Sequence, residues 1–258
     1  MRAMVNGIQI ACTDEGRGTP LLFVHGFPLN RSTWSKQVQA FKASHRVIAP
    51  DLRGLGESEA TAGPIPMSRF AEDLHALVQY LDTGPVILAG HSMGGYAALA
   101  FAKAYPHALR GLVLVGTKAG ADTPEVAAAR RAMAEKVRME GCSVVVDAMA
   151  PKMLSASNTD AAMAAAVRRL MAASKPEGVI GALLGMAERP DARAWLGKIR
   201  GPTLVIAGSD DTLIPPSESE ALAKAILGAR LKIIPKAGHL VPFEQADAFN
   251  EVLKAWLA

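Results

Sequence analysis

The chain has 258 residues, enough for one sizeable core or two at roughly 150 residues per domain, so neither disulfides nor a metal is needed to hold it together. Hydrophobic residues make up 50%, which excludes a disordered chain, and 28 Lys+Arg against 24 Asp+Glu leave a net charge of +4 with no basic run of the kind nucleic acids or lipid surfaces select. Two cysteines, Cys12 and Cys142, cannot build a disulfide framework, and Met1–Gly16 lacks the features of a secretory signal, so a reducing, cytoplasmic setting is expected.

Along the chain, Ile8, Ile10 and Cys12 alternate with Gln9 and Ala11, which predicts an antiparallel strand at a sheet edge. Short, continuous apolar runs follow at Pro20–His25, Arg46–Pro50, Pro85–Gly90, Gly111–Gly116, Pro202–Gly208 and Arg230–Pro235. Runs without alternation predict strands buried on both faces, as in a parallel sheet covered by helices. Phe70, Leu74, Leu77, Val78 and Leu81 form one helical stripe, with Ser68 placed to cap it. Further helices are predicted after Gly95, over Ser217–Leu227 and over Ala246–Trp256. The uncharged stretch Thr83–Ala102 is broken at its middle by Gly90, His91, Ser92, Gly94 and Gly95, so it predicts strand, turn and buried helix and no membrane span.

Alternating strands and helices predict an α/β fold with a mostly parallel, doubly wound sheet. From Lys118 to Trp195 the alternation stops, and Ala- and Met-rich helical sequence takes over at Glu125–Glu140, Ser143–Met153, Asp160–Ala173 and Gly178–Ala187. With no Gly/Ser linkers at its ends, this segment is expected to be a helical lid (residues 118–195) inserted into one core domain (residues 1–117 and 196–258).

The chemistry centres on Gly90-His91-Ser92-Met93-Gly94, which fits G-x-S-x-G directly after a predicted strand. A nucleophile in such a turn needs small neighbours, because a Cβ at the flanking positions would meet adjacent backbone. The turn also sets the Met93 N–H at a helix N-terminus, where developing negative charge is favoured. Serine requires a base that is itself oriented by an acid. Of six histidines, His239 lies after the last predicted strand and before the last helix, where parallel sheets assemble their sites. The acid falls in Gly208-Ser209-Asp210-Asp211-Thr212, and spacing alone leaves Asp210 and Asp211 both open. A second oxyanion donor is expected in His25-Gly26-Phe27-Pro28, with the Phe27 N–H as the donor, since Pro28 has none. The segment Asp51–Ser58 matches neither phosphate-binding nor dinucleotide-binding glycine patterns and is expected to be a loop pinned by an Asp51/Arg53 hydrogen-bond network. No His/Cys/Asp/Glu spacing suits a metal, and neither metal nor cofactor is expected.

Taken together, His25–Pro28, Asp51–Ser58, Gly90–Gly95, Gly208–Pro215 and Gly238-His239 resemble, in order, the blocks of the α/β-hydrolase superfamily. The resemblance implies Ser92 as nucleophile and His239 as base, and it selects Asp211, three residues after Gly208 and four before Pro215, as the acid. Dehalogenases and epoxide hydrolases of this superfamily carry aspartate where this chain has Ser92. The branch implied is that of serine carboxylesterases, enol-lactonases and cofactor-free haloperoxidases acting as perhydrolases. The expected activity is hydrolysis of small to medium carboxylic esters, with lactone hydrolysis or perhydrolysis as alternatives on the same triad. A ligand receptor or signalling protein on a hydrolase shell is the non-enzyme alternative. No nucleic-acid partner is expected. The aromatic residues, seven Phe, three Trp and three Tyr, all lie outside 106–194, whereas seven of the 11 methionines lie in the lid, so a thioether-rich pocket is expected. Met133, Met149, Met153 and Leu240 are its expected lining residues.

Overall fold

The apolar runs become strands because both of their faces are covered. In the computed structural model, which describes residues 1–258, the strands are β1 (Arg2–Val5), β2 (Ile8–Glu15), β3 (Pro20–Val24), β4 (Arg46–Pro50), β5 (Val86–His91), β6 (Leu109–Val115), β7 (Thr203–Gly208) and β8 (Arg230–Ile234). They form one sheet in the order β1-β2-β4-β3-β5-β6-β7-β8. Strands β3 to β8 run parallel, whereas β1 and β2 are antiparallel additions beside β4. Every residue of β3, β5 and β7 is buried, as their unbroken apolar sequence requires.

Two edge expectations change. The alternating segment at Ile8 is not the outermost strand, because Asn6 and Gly7, with φ of 46° and 76°, turn the chain so that β1 pairs outside it. Asn-Gly is the dipeptide that accepts two positive φ values in a tight hairpin. At the other end, β8 is largely exposed although its sequence predicts burial, since no strand lies beyond it.

The helices are α1 (Ser35–Phe41), α2 (Met67–Tyr80), α3 (Met93–Ala104), α4 (Pro124–Glu140), α5 (Ser143–Met149), α6 (Ala161–Ala172), α7 (Pro176–Ala187), α8 (Arg193–Leu196), α9 (Pro216–Ala225), α10 (Val241–Glu244) and α11 (Ala246–Leu257). Successive residues of a strand point to opposite faces, so Phe23 joins Trp34, Phe41 and Phe249 from α11 on one side of the sheet. Leu22 and Val24 join Phe70, Leu74 and Phe101 on the other. The rings of Phe23 and Trp34 lie 4.8 Å apart, close enough to add an aromatic pair interaction to area burial. Ser68 does not cap α2: the helix starts one residue earlier, after Pro66, whose φ of −65° already suits a helix entry, and no side chain caps it.

Helices α4 to α8 lie between the adjacent strands β6 and β7 and contribute no strand. Their apolar faces, including Val137, Val179, Leu183 and Met186, belong to the same core cluster as Leu112 and Leu114 of β6. Helix α7 approaches the loops after β4 through glycine. A Cβ on Gly178 would overlap the Gly54 carbonyl, and one on Gly185 would overlap that of Ile65. No helix is long and apolar enough to cross a membrane; the uncharged stretch at Thr83–Ala102 is β5 and most of α3.

Candidate active site

The strand order reverses direction around β3, which has β4 on one side and β5 on the other. Crevices of open α/β sheets form beyond the carboxyl ends of strands at such a switch point. Here the loop after β3 carries Phe27, and the turn after β5 carries Ser92.

Ser92 has φ 52° and ψ −115°, a conformation that costs a side-chain-bearing residue about 1–3 kcal/mol. Its surroundings over-determine it. The Ser92 N–H donates to the Val115 carbonyl at 2.9 Å, and the Ser92 carbonyl accepts from the Gly95 N–H at 2.9 Å and from Thr117 Oγ1 at 2.8 Å. A Cβ on Gly90 would overlap the Gly94 carbonyl, and one on Gly94 would overlap the carbonyls of Val24 and His25. The G-x-S-x-G spacing is therefore a packing requirement at both glycines.

His239 Nε2 lies 2.9 Å from Ser92 Oγ, and His239 Nδ1 lies 2.8 Å from Asp211 Oδ2. The side chain of Asp211 is fully buried, and its other oxygen, Oδ1, accepts the N–H groups of Leu213 and Ile214, each at 2.9 Å. With both oxygens engaged, the carboxylate cannot rotate away from the imidazole. The neighbouring Asp210 points elsewhere: it accepts from Ser155 Oγ at 2.5 Å and from Ser209 Oγ at 2.7 Å. These bonds, the Ser155 one foremost, hold its carboxyl below the usual carboxylate range. Asp210 thus ties the sheet to the insertion.

Two further groups fix the His239 loop. Glu244 accepts the Gly238 N–H at 2.6 Å, the Ser155 N–H at 3.0 Å and Asn158 Nδ2 at 2.7 Å. His91 Nε2, 2.9 Å from the His239 carbonyl, must carry the proton and donate it, because a carbonyl only accepts. His91 Nδ1 is then the bare nitrogen, buried without a partner. Burial, and after it the nearby His239 ring, pushes His91 well below the usual histidine range. His25 is also buried and lowered by burial; it accepts the Leu52 N–H at Nε2 over 2.9 Å and is a strut between two loops.

Gly26 packs against the elbow so closely that a Cβ there would sit 3.0 Å from Ser92 Cβ, which sets the Gly26–Phe27 segment beside the serine. The Phe27 N–H has no backbone acceptor, and Met93 is the first residue of α3, where N–H groups project out of the helix end. A cavity of about 490 Å³ opens over Ser92 and His239. Phe27, Tyr96, Leu213 and Ile214 line it from the sheet side, while Val126, Ala129, Arg130 and Met133 line it from one face of α4. Met149, Lys152, Leu183 and Met186 complete the insertion's share.

The structure brings Met133 and Met149 to this cavity but not Met153 or Leu240. Those two pack with Leu29 and Met171 in a separate fully buried cluster, and the Leu240 N–H donates to the Met153 carbonyl at 2.8 Å, which directs both into the seam. Sequence reasoning missed Tyr96 and Arg130. Tyr96 is one helical turn after Ser92, and Val126, Ala129, Arg130 and Met133 show i, i+3, i+4, i+7 spacing, so the signal was present without a direction. The Asp51/Arg53 network is also corrected. Asp51 accepts from the Arg31 N–H at 2.6 Å, from the Arg31 guanidinium and from the Glu57 N–H at 2.8 Å. Arg53 instead donates to both oxygens of Asp73, each at 2.7 Å. No group of three or more His, Cys, Asp or Glu side chains is placed to hold a metal ion.

Comparison with known proteins follows the same outline. Residues 19–246 match the alpha/beta hydrolase fold family. A thermophilic esterase from Thermogutta terrifontis, solved with malate bound, is 40% identical with a TM-score of 0.96, covering 100% of this chain and 97% of that one. The enol-lactonase from Burkholderia xenovorans LB400 is 30% identical with a TM-score of 0.91, covering 100% of this chain and 99% of that one. The dihydrolipoyllysine-residue acetyltransferase component of the acetoin cleaving system of Pseudomonas putida is 31% identical over 93% of this chain, which spans 64% of that longer protein.

Proposed function

Because the chain belongs to the α/β-hydrolase fold family, we propose that it is a serine hydrolase that cleaves small to medium carboxylic esters through an acyl-enzyme. The observation that carries this reading is the continuous chain of contacts from Ser92 Oγ to His239 at 2.9 Å and from His239 to Asp211 at 2.8 Å. As Ser92 Oγ attacks the ester carbonyl, His239 Nε2 takes its proton, and Asp211 keeps the imidazole in the tautomer whose Nε2 is free to accept. The N–H groups of Phe27 and Met93 stabilise the tetrahedral oxyanion. The intermediate collapses, the C–O bond to the alcohol breaks, and His239 returns the proton to the leaving oxygen. Water, deprotonated by the same imidazole, then attacks the acyl-serine, and the acid departs as Ser92 regains its proton.

The insertion at residues 118–195 serves as the lid that bounds the acyl and alcohol chains. A cytoplasmic setting suits two unpaired cysteines, of which Cys12 is buried and its thiol pushed up to about 12, out of the range of thiolate chemistry. Replacing Ser92 by Ala should lower kcat on a chromogenic acetate ester by about 10³-fold or more while leaving the fold intact. Turnover retained in that variant would overturn the assignment.

A second reading, hydrolysis of a cyclic ester by the same groups, is favoured by the 30% identity to the Burkholderia enol-lactonase across the full chain. Side-by-side kcat/KM values on lactones and linear esters separate the two.

A further inference from the structure

The cavity over Ser92 is lined mainly by hydrophobic residues, Tyr96 with its hydroxyl among them, and by four polar or charged ones. Two are the reacting pair, Ser92 and His239; the other two are Arg130 and Lys152, and no carboxylate lines it. Neither cation is neutralised in the ordinary way. Arg130 donates through Nε to the buried Asp122 at 2.5 Å, but that carboxylate also accepts from Arg189 at 2.7 Å and has Lys118 Nζ 3.7 Å away. One negative charge is thus shared by three positive ones. The single Nε contact fixes the plane of the Arg130 guanidinium and leaves its two terminal nitrogens for another acceptor. Lys152, on the turn after α5, is exposed and takes part in none of the chain's ion pairs.

A hydrophobic pocket for neutral chains has no use for two cations on its wall, because each must be kept partly hydrated beside apolar surface. An anion carried by the substrate satisfies both. We propose that Arg130 and Lys152 form a carboxylate-recognition subsite in the insertion wall of the cavity, so that the preferred substrates are esters whose acyl or alcohol chain ends in a free carboxylate. The proposal rests on the esterase reading and gives it a substrate class: half-esters of dicarboxylic acids on the acyl side, or acylated hydroxy acids on the alcohol side. The apolar surface between the reacting pair and the cations takes the methylene chain.

The test uses the intact protein and matched pairs of esters. On the acyl side, monomethyl esters from succinate to suberate are each compared with the corresponding terminal amide, which is neutral and nearly the same shape. On the alcohol side, acetylated ω-hydroxy acids are compared with their amides. The readout is the ratio of kcat/KM for the anionic ester over its neutral partner. At the best chain length in one of the two arms the ratio should reach about tenfold or more, and added salt should reduce it. Lys152→Gln and Arg130→Gln should each reduce the ratio by about threefold or more, and Lys152→Glu should lower it further by repulsion. A general loss of activity leaves the ratio unchanged, so it separates recognition from a structural role. If Arg130→Gln does not fold, having left Asp122 short of a partner, the exposed Lys152 variants decide the question alone. A ratio below about twofold at every length in both arms, or one that both Lys152 variants leave intact, overturns the subsite. Should Ser92-dependent hydrolysis of neutral esters persist in that case, the esterase reading stands; should no ester be cleaved, the esterase reading falls and the subsite falls with it.

Discussion

The two walls of the cavity are built by opposite means. On the sheet side, reactive atoms are set by backbone: Ser92 by a strained turn between two buried elements, His239 through the carbonyl and N–H bonds of its loop, and Asp211 by two N–H donors a few residues on. On the insertion side, the cavity is lined by residues of α4, α5, α7 and the turn after α5. The sheet wall therefore tolerates almost no change in atomic position, whereas the insertion wall can vary in size and charge while its helices stay docked. Under the proposed function the first wall carries the chemistry and the second the choice of substrate, a division that assigns different observables to mutations on either side.

The largest effect is expected for Asp211→Asn. Asparagine keeps an oxygen for the Leu213 and Ile214 N–H groups, so stability should hold, but its amide would donate to His239 Nδ1 and hold the wrong tautomer. A loss of about 10³-fold or more in kcat, with an unchanged unfolding midpoint, would localise the chemistry to the sheet wall. A comparable fall in stability would contradict the division.

Glu244→Ala acts on the seam between the walls. It removes the acceptor shared by Gly238, beside His239, and by Ser155 and Asn158 of the insertion. Donors left unsatisfied beside a lost carboxylate should lower stability by about 2–3 kcal/mol in a denaturant titration. Loosening of the His239 loop should also reduce kcat by about tenfold. A change in KM alone would assign Glu244 to the insertion wall.

The smallest effect concerns pH. His25 and His91 are both held below the ordinary histidine value of 6.5 by burial, so the unfolded chain binds protons that the folded one does not. Their stabilising contribution is complete above that value and declines as pH falls through 6.5 towards their folded values. Each group can contribute up to about 1.4 kcal/mol of lost stability per pH unit in that window. Denaturant midpoints measured on both sides of it should show the slope, and His91→Asn should flatten it. A stability that rises on acidification would contradict neutral burial of both rings.

How much of this was legible beforehand follows the same division. The elbow could be read at Gly90, Ser92 and Gly94 because the motif spans only five residues, although a Cβ on Gly90 would strike backbone within the turn and one on Gly94 would strike the end of the adjoining β3. The order of Ser92, Asp211 and His239 was visible for a related reason, since each follows a strand whose apolar run announces it. Asp210 and Asp211 could not be separated by spacing, because their opposite directions depend on Ser155 of the insertion and on the Leu213 and Ile214 N–H groups. Met153 and Leu240 show the other limit. Nothing local distinguishes Met153 from Met149, yet one is sealed in a seam and the other faces the cavity.

What the sequence by itself determined is the alternation of strand and helix, the interruption at residues 118–195 and the placement of Ser92 and His239 after strands. All of these are written in periodicity or in motifs a few residues long. What only the tertiary structure decided is the character of the cavity beyond the reacting atoms. Arg130 and Lys152 lie on different elements, and they share a cavity because α4 packs on α7 and also on α5, which leads into the turn that carries Lys152. Such convergence depends on how helices dock, a property of surfaces far apart in the chain. A composition that predicted a thioether pocket was therefore half of the description, and the charge on its wall was the other half.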